Sequence, residues 1–154
     1  MVAPKRGYSG GSGHFELAAE AERLKGTSAG IKIRDFERIV IDTAPEFGGG
    51  GAGPCPVELM LASLAGCVVE TAVFLAERAG VRLGDVSSKA RATLVRERQN
   101  YALAGVEATL EARLLNPGDA EIAERVLGLV EKYCIVANSL RATVPVAVRL
   151  NVKA

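Results

Sequence analysis

The segment from Pro56 to Gly80, PVELMLASLAGCVVETAVFLAERAG, decides the fold. Proline is favoured at the first position of a helix and glycine just after the end of one, so the segment predicts a single long helix that ends near Arg78. This helix is apolar nearly all round, and neighbouring elements must therefore cover it on most sides. Glu58 and Glu70 make insertion into a bilayer costly, which favours a helix buried within a protein over a membrane span.

Strand patterns lie on both sides of this helix. In chain order, we predict antiparallel strands within 14–42, a glycine-rich loop over 43–56, strands over 86–97 and 104–115, a second helix from Pro117, and a last strand over 144–152. This order predicts an α+β domain with antiparallel sheets packed against two long helices, rather than a doubly wound fold. We expect residues 1–13 to form a flexible tail and residues 14–154 a single domain.

Composition excludes several classes of function. The formal net charge is +1, which gives no electrostatic reason to expect a nucleic acid or a membrane as partner. Three cysteines without a CxxC motif do not form a secreted disulfide framework, and no apolar leader follows the first residues. We therefore expect a cytoplasmic protein. The only histidine is His14, and we expect no metal site.

A narrow polar stripe on the long helix is the first candidate for chemistry. Residues three and four apart share a helix face, so Ser63, Glu70 and Thr71 line up with Cys67. Buried polar groups are costly unless they are paired, and a reactive site would explain their presence. Alternatively, Ser63 and Thr71 bond to helix carbonyls and Cys67 packs as a small apolar residue. Spacing alone leaves both interpretations open.

The other two cysteines give weaker signals by themselves. Cys134 lies four residues after Val130 on the apolar face of the second helix, which favours a packing role. Cys55 precedes Pro56, where the positive end of the helix dipole can activate a thiol, but a cysteine there more often replaces a capping serine.

Two separated segments resemble the OsmC/Ohr family. GPCPVELMLASLAGCVVETAVFLAERAGVRL, at 53–83, resembles the family's central helix, and EKYCIVANSLRATVPVAVRLNV, at 131–152, resembles its second-cysteine segment and last strand. The order of the other elements agrees from about Phe15 to Val152. The resemblance implies an intertwined homodimer of the OsmC-like fold, with two equivalent sites at the dimer interface, and we expect no cofactor.

The resemblance also implies a function in oxidative-stress defence. Active members of the family are peroxidases that reduce organic hydroperoxides. By position, Cys67 would be the peroxidatic cysteine that becomes a sulfenic acid, and Cys134 the resolving cysteine that forms a disulfide with it. A dithiol reductant, such as a dihydrolipoyl protein, would reopen the disulfide. A second thiol protects a sulfenic acid from further oxidation, so the pairing is chemically coherent.

The sequence departs from the family pattern in three places. In the family a glutamate after the first proline of the helix pairs with an arginine to stabilise the thiolate. That position is Val57 here, and the carboxylate one residue later, Glu58, lies on the opposite helix face from Cys67. The activating arginine lies in the early strands; Arg34 is our first candidate and Arg38 the second. The usual proline after the second cysteine is Ile135.

These departures leave two alternatives to the peroxidase. The first is a binding module whose apolar pocket holds a small hydrophobic ligand. The second is a thiol redox sensor in which oxidation of Cys67 and Cys134 changes a partner surface without turnover.

Overall fold

The computed structural model describes residues 13–153, which fall into two compact units that meet in sequence between Leu59 and Met60. Apart from Gly13, the predicted N-terminal tail lies outside the described residues. The mixture of strands and helices confirms the predicted α+β class. The single-domain interpretation of residues 14–154 stays a prediction.

The first unit contains a small antiparallel meander, as the alternating sequence predicts. Its strands are β1 (Glu20–Arg23), β2 (Ala29–Lys32) and β3 (Ile39–Ile41), with β2 in the middle. The loop that follows β3 is organised by Asp42, which is 3% exposed. Its carboxylate accepts hydrogen bonds from the Thr27 hydroxyl at 2.6 Å and the Ala52 amide at 3.0 Å. These hydrogen bonds, with that from Thr27 the largest cause, lower the pKa of Asp42.

The long helix α1 spans Pro56–Arg78, which confirms both predicted ends. Gly80 follows with a φ of +72°, a backbone conformation that glycine adopts without strain. One stripe of α1 is buried, and its members recur every four residues: Leu64, Val68, Ala72 and Ala76. The single chain therefore covers one side of α1, whereas the sequence led us to expect cover on most sides. By length and hydropathy α1 could cross a membrane, a test that core helices of soluble proteins also pass.

The sheet of the second unit differs from the prediction in one strand pair. The long strands β4 (Leu83–Glu97) and β5 (Asn100–Leu114) form the expected antiparallel hairpin. The last strand, β6 (Val146–Lys153), instead pairs with β5 in parallel, so the expectation of purely antiparallel sheets is wrong here. A parallel pair needs a long crossover, and residues 115–145 provide it with their helices.

The predicted second long helix is also wrong, because the crossover is divided into short helices. A 3₁₀ turn at Pro117–Asp119 leads into α2 (Ala120–Leu127), which is followed by α3 (Val130–Tyr133) and α4 (Ile135–Arg141). The break between α3 and α4 lies at Cys134, whose backbone is extended with φ −68° and ψ 110°. An extended residue is what the N-cap position requires, and Cys134 occupies that position for α4.

The core of the second unit joins α1, β5 and the short helices. Alternate residues of β5 are buried from Val106 to Leu114, as a half-buried strand requires. Leu127, Val130 and Cys134 are buried on the helices. The two cysteines of the predicted redox pair therefore belong to elements of one core.

Candidate active site

Cys67 lies on α1 immediately before the buried Val68, at the margin of the buried stripe. Its side chain is half-buried, and its Sγ is 4.0 Å from the Thr71 hydroxyl oxygen one turn later. The predicted pair at i and i+4 is thus in contact. Glu70 and Thr71 line the same pocket as Cys67, whereas Ser63 is exposed and lies outside that pocket. Part of the predicted polar stripe therefore belongs to a cavity.

Cys134 is fully buried, and its thiol makes two specific interactions. Its Sγ accepts a hydrogen bond from the Ala137 amide at 3.5 Å, which caps α4. The thiol also lies close enough to the Cys67 side chain for Cys67 to raise its pKa. The structure therefore brings together the two cysteines that the sequence separates by 67 positions.

Burial keeps the Cys134 thiol protonated. The pKa of Cys134 is raised from 9.0 to about 11, chiefly by desolvation and further by the neighbouring Cys67. The hydrogen bond from the Ala137 amide acts in the opposite direction. Because the thiolate is the reactive form, Cys134 is a poor nucleophile toward a molecule in solution at neutral pH.

Cys67 opens onto a largely apolar pocket of about 540 Å³. The residues that line it are Cys67, Glu70, Thr71, Phe74, Leu75 and Arg78 from α1, and Leu129, Tyr133 and Ile135 from the crossover. Phe74, Tyr133 and Ile135 are each more than half exposed. Apolar walls with a few polar groups are typical of a pocket for a small organic molecule.

Sequence reasoning missed Arg78 as a site residue. It lies eleven positions after Cys67, and at about 100° per residue the two positions differ by only about 20° around the helix axis after three full turns. The two side chains therefore share one face of α1 and one pocket. The Arg78 guanidinium lies 5.5 Å from the centroid of the Phe74 ring, a cation–π contact along the pocket wall. Its spacing in the sequence could have identified it.

The other predicted site residues lie in the first unit, while Cys67 lies in the second. The carboxylate of Glu58 accepts a hydrogen bond from the Cys55 amide at 2.7 Å, as a first-turn residue can. Arg34 has a φ of +49°, and its guanidinium lies 4.8 Å from the centroid of the Phe36 ring. Arg38 forms an ion pair with Glu22. Catalytic roles for Arg34 and Glu58 stay predictions.

No metal centre is found within residues 13–153, where no three His, Cys, Asp or Glu side chains are grouped so that they could hold an ion. The cysteines that the structure describes are free thiols. Cys67 is the thiol that lines the pocket.

Comparison with known proteins places these features in a family. Residues 48–149 match the family described as OsmC-like protein. A search of curated protein sequences gives no significant match.

Solved structures share the fold at low sequence identity. An OsmC-like protein from Mycoplasma pneumoniae aligns with a TM-score of 0.76 and 19% identity over 90% of this chain and 98% of its own. An organic hydroperoxide resistance protein from Legionella pneumophila aligns with a TM-score of 0.67 and 22% identity over 90% and 97%. An organic hydroperoxide resistance protein from Elizabethkingia anophelis aligns with a TM-score of 0.69 and 16% identity over 91% of this chain and 98% of its own.

Proposed function

Because the chain belongs to the OsmC-like protein family, we propose that it is a cysteine-dependent peroxidase that reduces organic hydroperoxides with a dithiol reductant. Cys67 is the peroxidatic residue and Cys134 the resolving one. The observation that carries the proposal is that Cys67, which lines an apolar pocket, lies close enough to the buried Cys134 thiol to raise its pKa. Relatives of the same fold include organic hydroperoxide resistance proteins, which supports the choice of substrate class.

The first step belongs to Cys67, because it lines the pocket while Cys134 is buried. The Cys67 thiolate attacks a peroxide oxygen of ROOH. A sulfur–oxygen bond forms, the oxygen–oxygen bond breaks, and the leaving alkoxide takes up a proton to become the alcohol ROH. Cys67 is left as a sulfenic acid.

The second step belongs to Cys134. Its sulfur attacks the sulfenic sulfur of Cys67, the disulfide forms, and the sulfenic oxygen leaves as water with the proton of the Cys134 thiol. The raised pKa of Cys134 keeps that proton in place until the sulfenic acid forms. A small dithiol then reduces the disulfide by thiol–disulfide exchange and is itself oxidised to a disulfide.

The proposal includes a homodimer in the cytoplasm. The single chain buries one stripe of α1 and leaves apolar residues such as Phe74, which is 57% exposed, uncovered. A second copy packed against this side of α1 would cover them, and exposed apolar patches of this kind mark protein interfaces. Arg34 is retained as the proposed stabiliser of the thiolate, and a catalytic role for Glu58 stays a prediction.

The experiment is turnover of cumene hydroperoxide with dihydrolipoamide. We expect Cys67→Ser to abolish turnover. In Cys134→Ser the first step still occurs, so a sulfenic acid accumulates and can be trapped by dimedone at Cys67. Cys55→Ser is the matched control, because Cys55 lies outside the pocket, and it should retain turnover. Peroxide consumption that is unchanged in Cys67→Ser would rule the proposal out.

A second candidate function is storage or transport of a small hydrophobic ligand. The apolar lining of the pocket favours it, as does Val57, which replaces the glutamate expected in the peroxidases. Binding of an apolar dye that is unaffected by Cys67→Ser, together with no peroxide turnover in the wild-type chain, would select this candidate.

A further inference from the structure

The hydroxyl of Thr71 lies beside the sulfur of Cys67. Thr71 follows Cys67 by four residues on α1, and its Oγ1 is 4.0 Å from the Cys67 Sγ. Both side chains are half-buried, and both line the pocket. The helix itself sets this contact, because residues four apart share one face.

The Thr71 hydroxyl does not make the contact that is usual for its residue type. In a helix, a serine or threonine hydroxyl commonly donates to the carbonyl oxygen one turn earlier. Ser139 does so in α4, where its Oγ lies 2.9 Å from the carbonyl oxygen of Ile135. Among the residues that the structure describes, the hydrogen-bond partner of the Thr71 hydroxyl is the Cys67 sulfur. The hydroxyl is therefore directed at the thiol and not at the helix backbone.

Ionisation of Cys67 fixes the direction of this hydrogen bond. In the neutral pair either group can be the donor. A thiolate has no proton to donate, whereas a threonine hydroxyl can rotate and donate to it. Hydrogen bonds to a charged acceptor are shorter and stronger than those between neutral groups, and they favour the charged state. A hydroxyl at this position is therefore suited to stabilising a thiolate.

The apolar surroundings strengthen the interaction. Phe74 and Leu75 from α1, and Leu129 and Ile135 from the crossover, line the pocket beside Cys67. A hydrogen bond is electrostatically stronger in an apolar environment than in water. A neutral donor also enters such an environment at less cost than a charged one.

Other titratable or charged groups also lie near Cys67. Within the described residues, Glu70, Arg78 and Tyr133 share its pocket, and Cys134 lies close enough to interact with it. Glu70 opposes a negative charge on Cys67, and Arg78 favours one. All four groups stay in place when the hydroxyl of the neighbouring threonine is removed, so such a variant isolates the contribution of that hydroxyl.

We propose that the Thr71 hydroxyl activates Cys67 by donating a hydrogen bond to its thiolate. This inference rests on the proposed peroxidase function, in which that thiolate is the nucleophile, and deepens it by naming a group that stabilises the charge. Loss of the hydrogen bond has two opposite effects. It lowers the fraction of Cys67 that is ionised, and it leaves a thiolate that is intrinsically more nucleophilic because the sulfur is more basic.

The test is alkylation of Cys67 by iodoacetamide in the native, reduced protein between pH 6 and 10, followed on the Cys67 peptide by mass spectrometry. Thr71→Val removes the hydroxyl and keeps the branched shape. At neutral pH the ionised fraction should fall about tenfold, the low end for a hydrogen bond to a charged group, which moves the midpoint of the pH profile up by about one unit. Each thiolate should react about threefold faster. The net rate at pH 7 should therefore fall about threefold, and the two profiles should cross at high pH.

Further variants assign the effect to the hydroxyl. Thr71→Ala also lacks the hydroxyl and should show the same shift, whereas Thr71→Ser keeps a hydroxyl and should keep the wild-type midpoint. Ser63→Ala is the matched control. It removes a hydroxyl one turn before Cys67 on α1 that is exposed and lies outside the pocket, so its profile should match the wild type.

The pH profile distinguishes activation from a structural effect of the substitution. A change in packing alone would alter the rate by one factor at every pH and leave the midpoint in place. Equal midpoints in Thr71→Val, Thr71→Ala and the wild type would overturn the inference. Alkylation needs no peroxide, so a shifted midpoint supports the hydrogen bond even if nothing is turned over. Absence of turnover on every peroxide, cumene hydroperoxide included, overturns the proposed function instead.

Discussion

The buried state of Cys134 predicts an unusual order of thiol reactivity. The perturbation is alkylation of the native, reduced protein by iodoacetamide at a series of rising pH values. Iodoacetamide reacts with the thiolate form of a cysteine. With a pKa of about 11, Cys134 is ionised in about one molecule in a thousand at pH 8, against about one in ten for a thiol at 9.0. Cys134 should therefore react at least about a hundredfold more slowly than it does in the urea-unfolded chain.

The assay is quantitative mass spectrometry of the three cysteine peptides over time. If the reaction occurs in the folded protein, the rate at Cys134 should keep rising about tenfold per pH unit beyond pH 9. In Cys67→Ala, Cys134 should stay slow, because desolvation is the largest cause of its raised pKa and the contribution of Cys67 is smaller. Alkylation of Cys134 at pH 8 within about threefold of its rate in urea would refute the reasoning.

Three further predictions concern stability. Because the folded-state pKa of Cys134 exceeds the unfolded value, the contribution of this thiol to the free energy of unfolding is complete below pH 9 and is lost as pH rises toward 11. The loss is up to about 2.7 kcal/mol, at 1.36 kcal/mol per pKa unit. In urea unfolding, the stability difference between wild type and Cys134→Ala should therefore shrink over this range, and a constant difference would contradict the prediction. The ionised Asp42 carboxylate stabilises the fold at pH values above its unfolded-state pKa of 3.8, and this stabilisation is lost as pH falls through the lowered pKa of the folded state. Between pH 2 and 6, the melting temperature of Asp42→Asn should therefore depend less on pH than that of the wild type. Gly80→Ala should lower the free energy of unfolding in urea by about 1 kcal/mol, because alanine is strained at a φ of +72°. No neighbour lies within 4 Å of the new Cβ, so backbone strain is the only cost. Gly80→Asn should cost less, because asparagine tolerates this conformation better.

The sequence predicts an element best where residues with a strong conformational preference, such as proline and glycine, mark its ends. Pro56 and Gly80 mark the two ends of α1, and the structure places the helix between them. The direction of β6 has no such marker. Alternation of Val146, Val148 and Leu150 places one face of the strand on the core equally well in a parallel and an antiparallel pair. The long crossover before β6 was the only hint of its direction.

The divided second helix shows why periodicity can conceal a break. Leu127, Val130 and Cys134 are all buried, at spacings of three and four that a continuous helix would also give. The extended backbone at Cys134 nevertheless ends one helix and begins the next. A buried cysteine in place of the usual capping residue removed the signal that would have marked the boundary.

The candidate site was predictable to the extent that it lies on one turn of one helix. Offsets of three and four gave Glu70 and Thr71, which do line the pocket with Cys67, because those offsets hold for any helix. Leu129, Tyr133 and Ile135 form the opposite wall, and their position depends on how the crossover folds, which no local pattern specifies. Arg78 is the intermediate case. Its offset of eleven is as regular as an offset of four, but it becomes meaningful only for a ligand about three turns long. The length of the pocket is therefore what makes this offset relevant, because Cys67 and Arg78 line it about three turns of α1 apart.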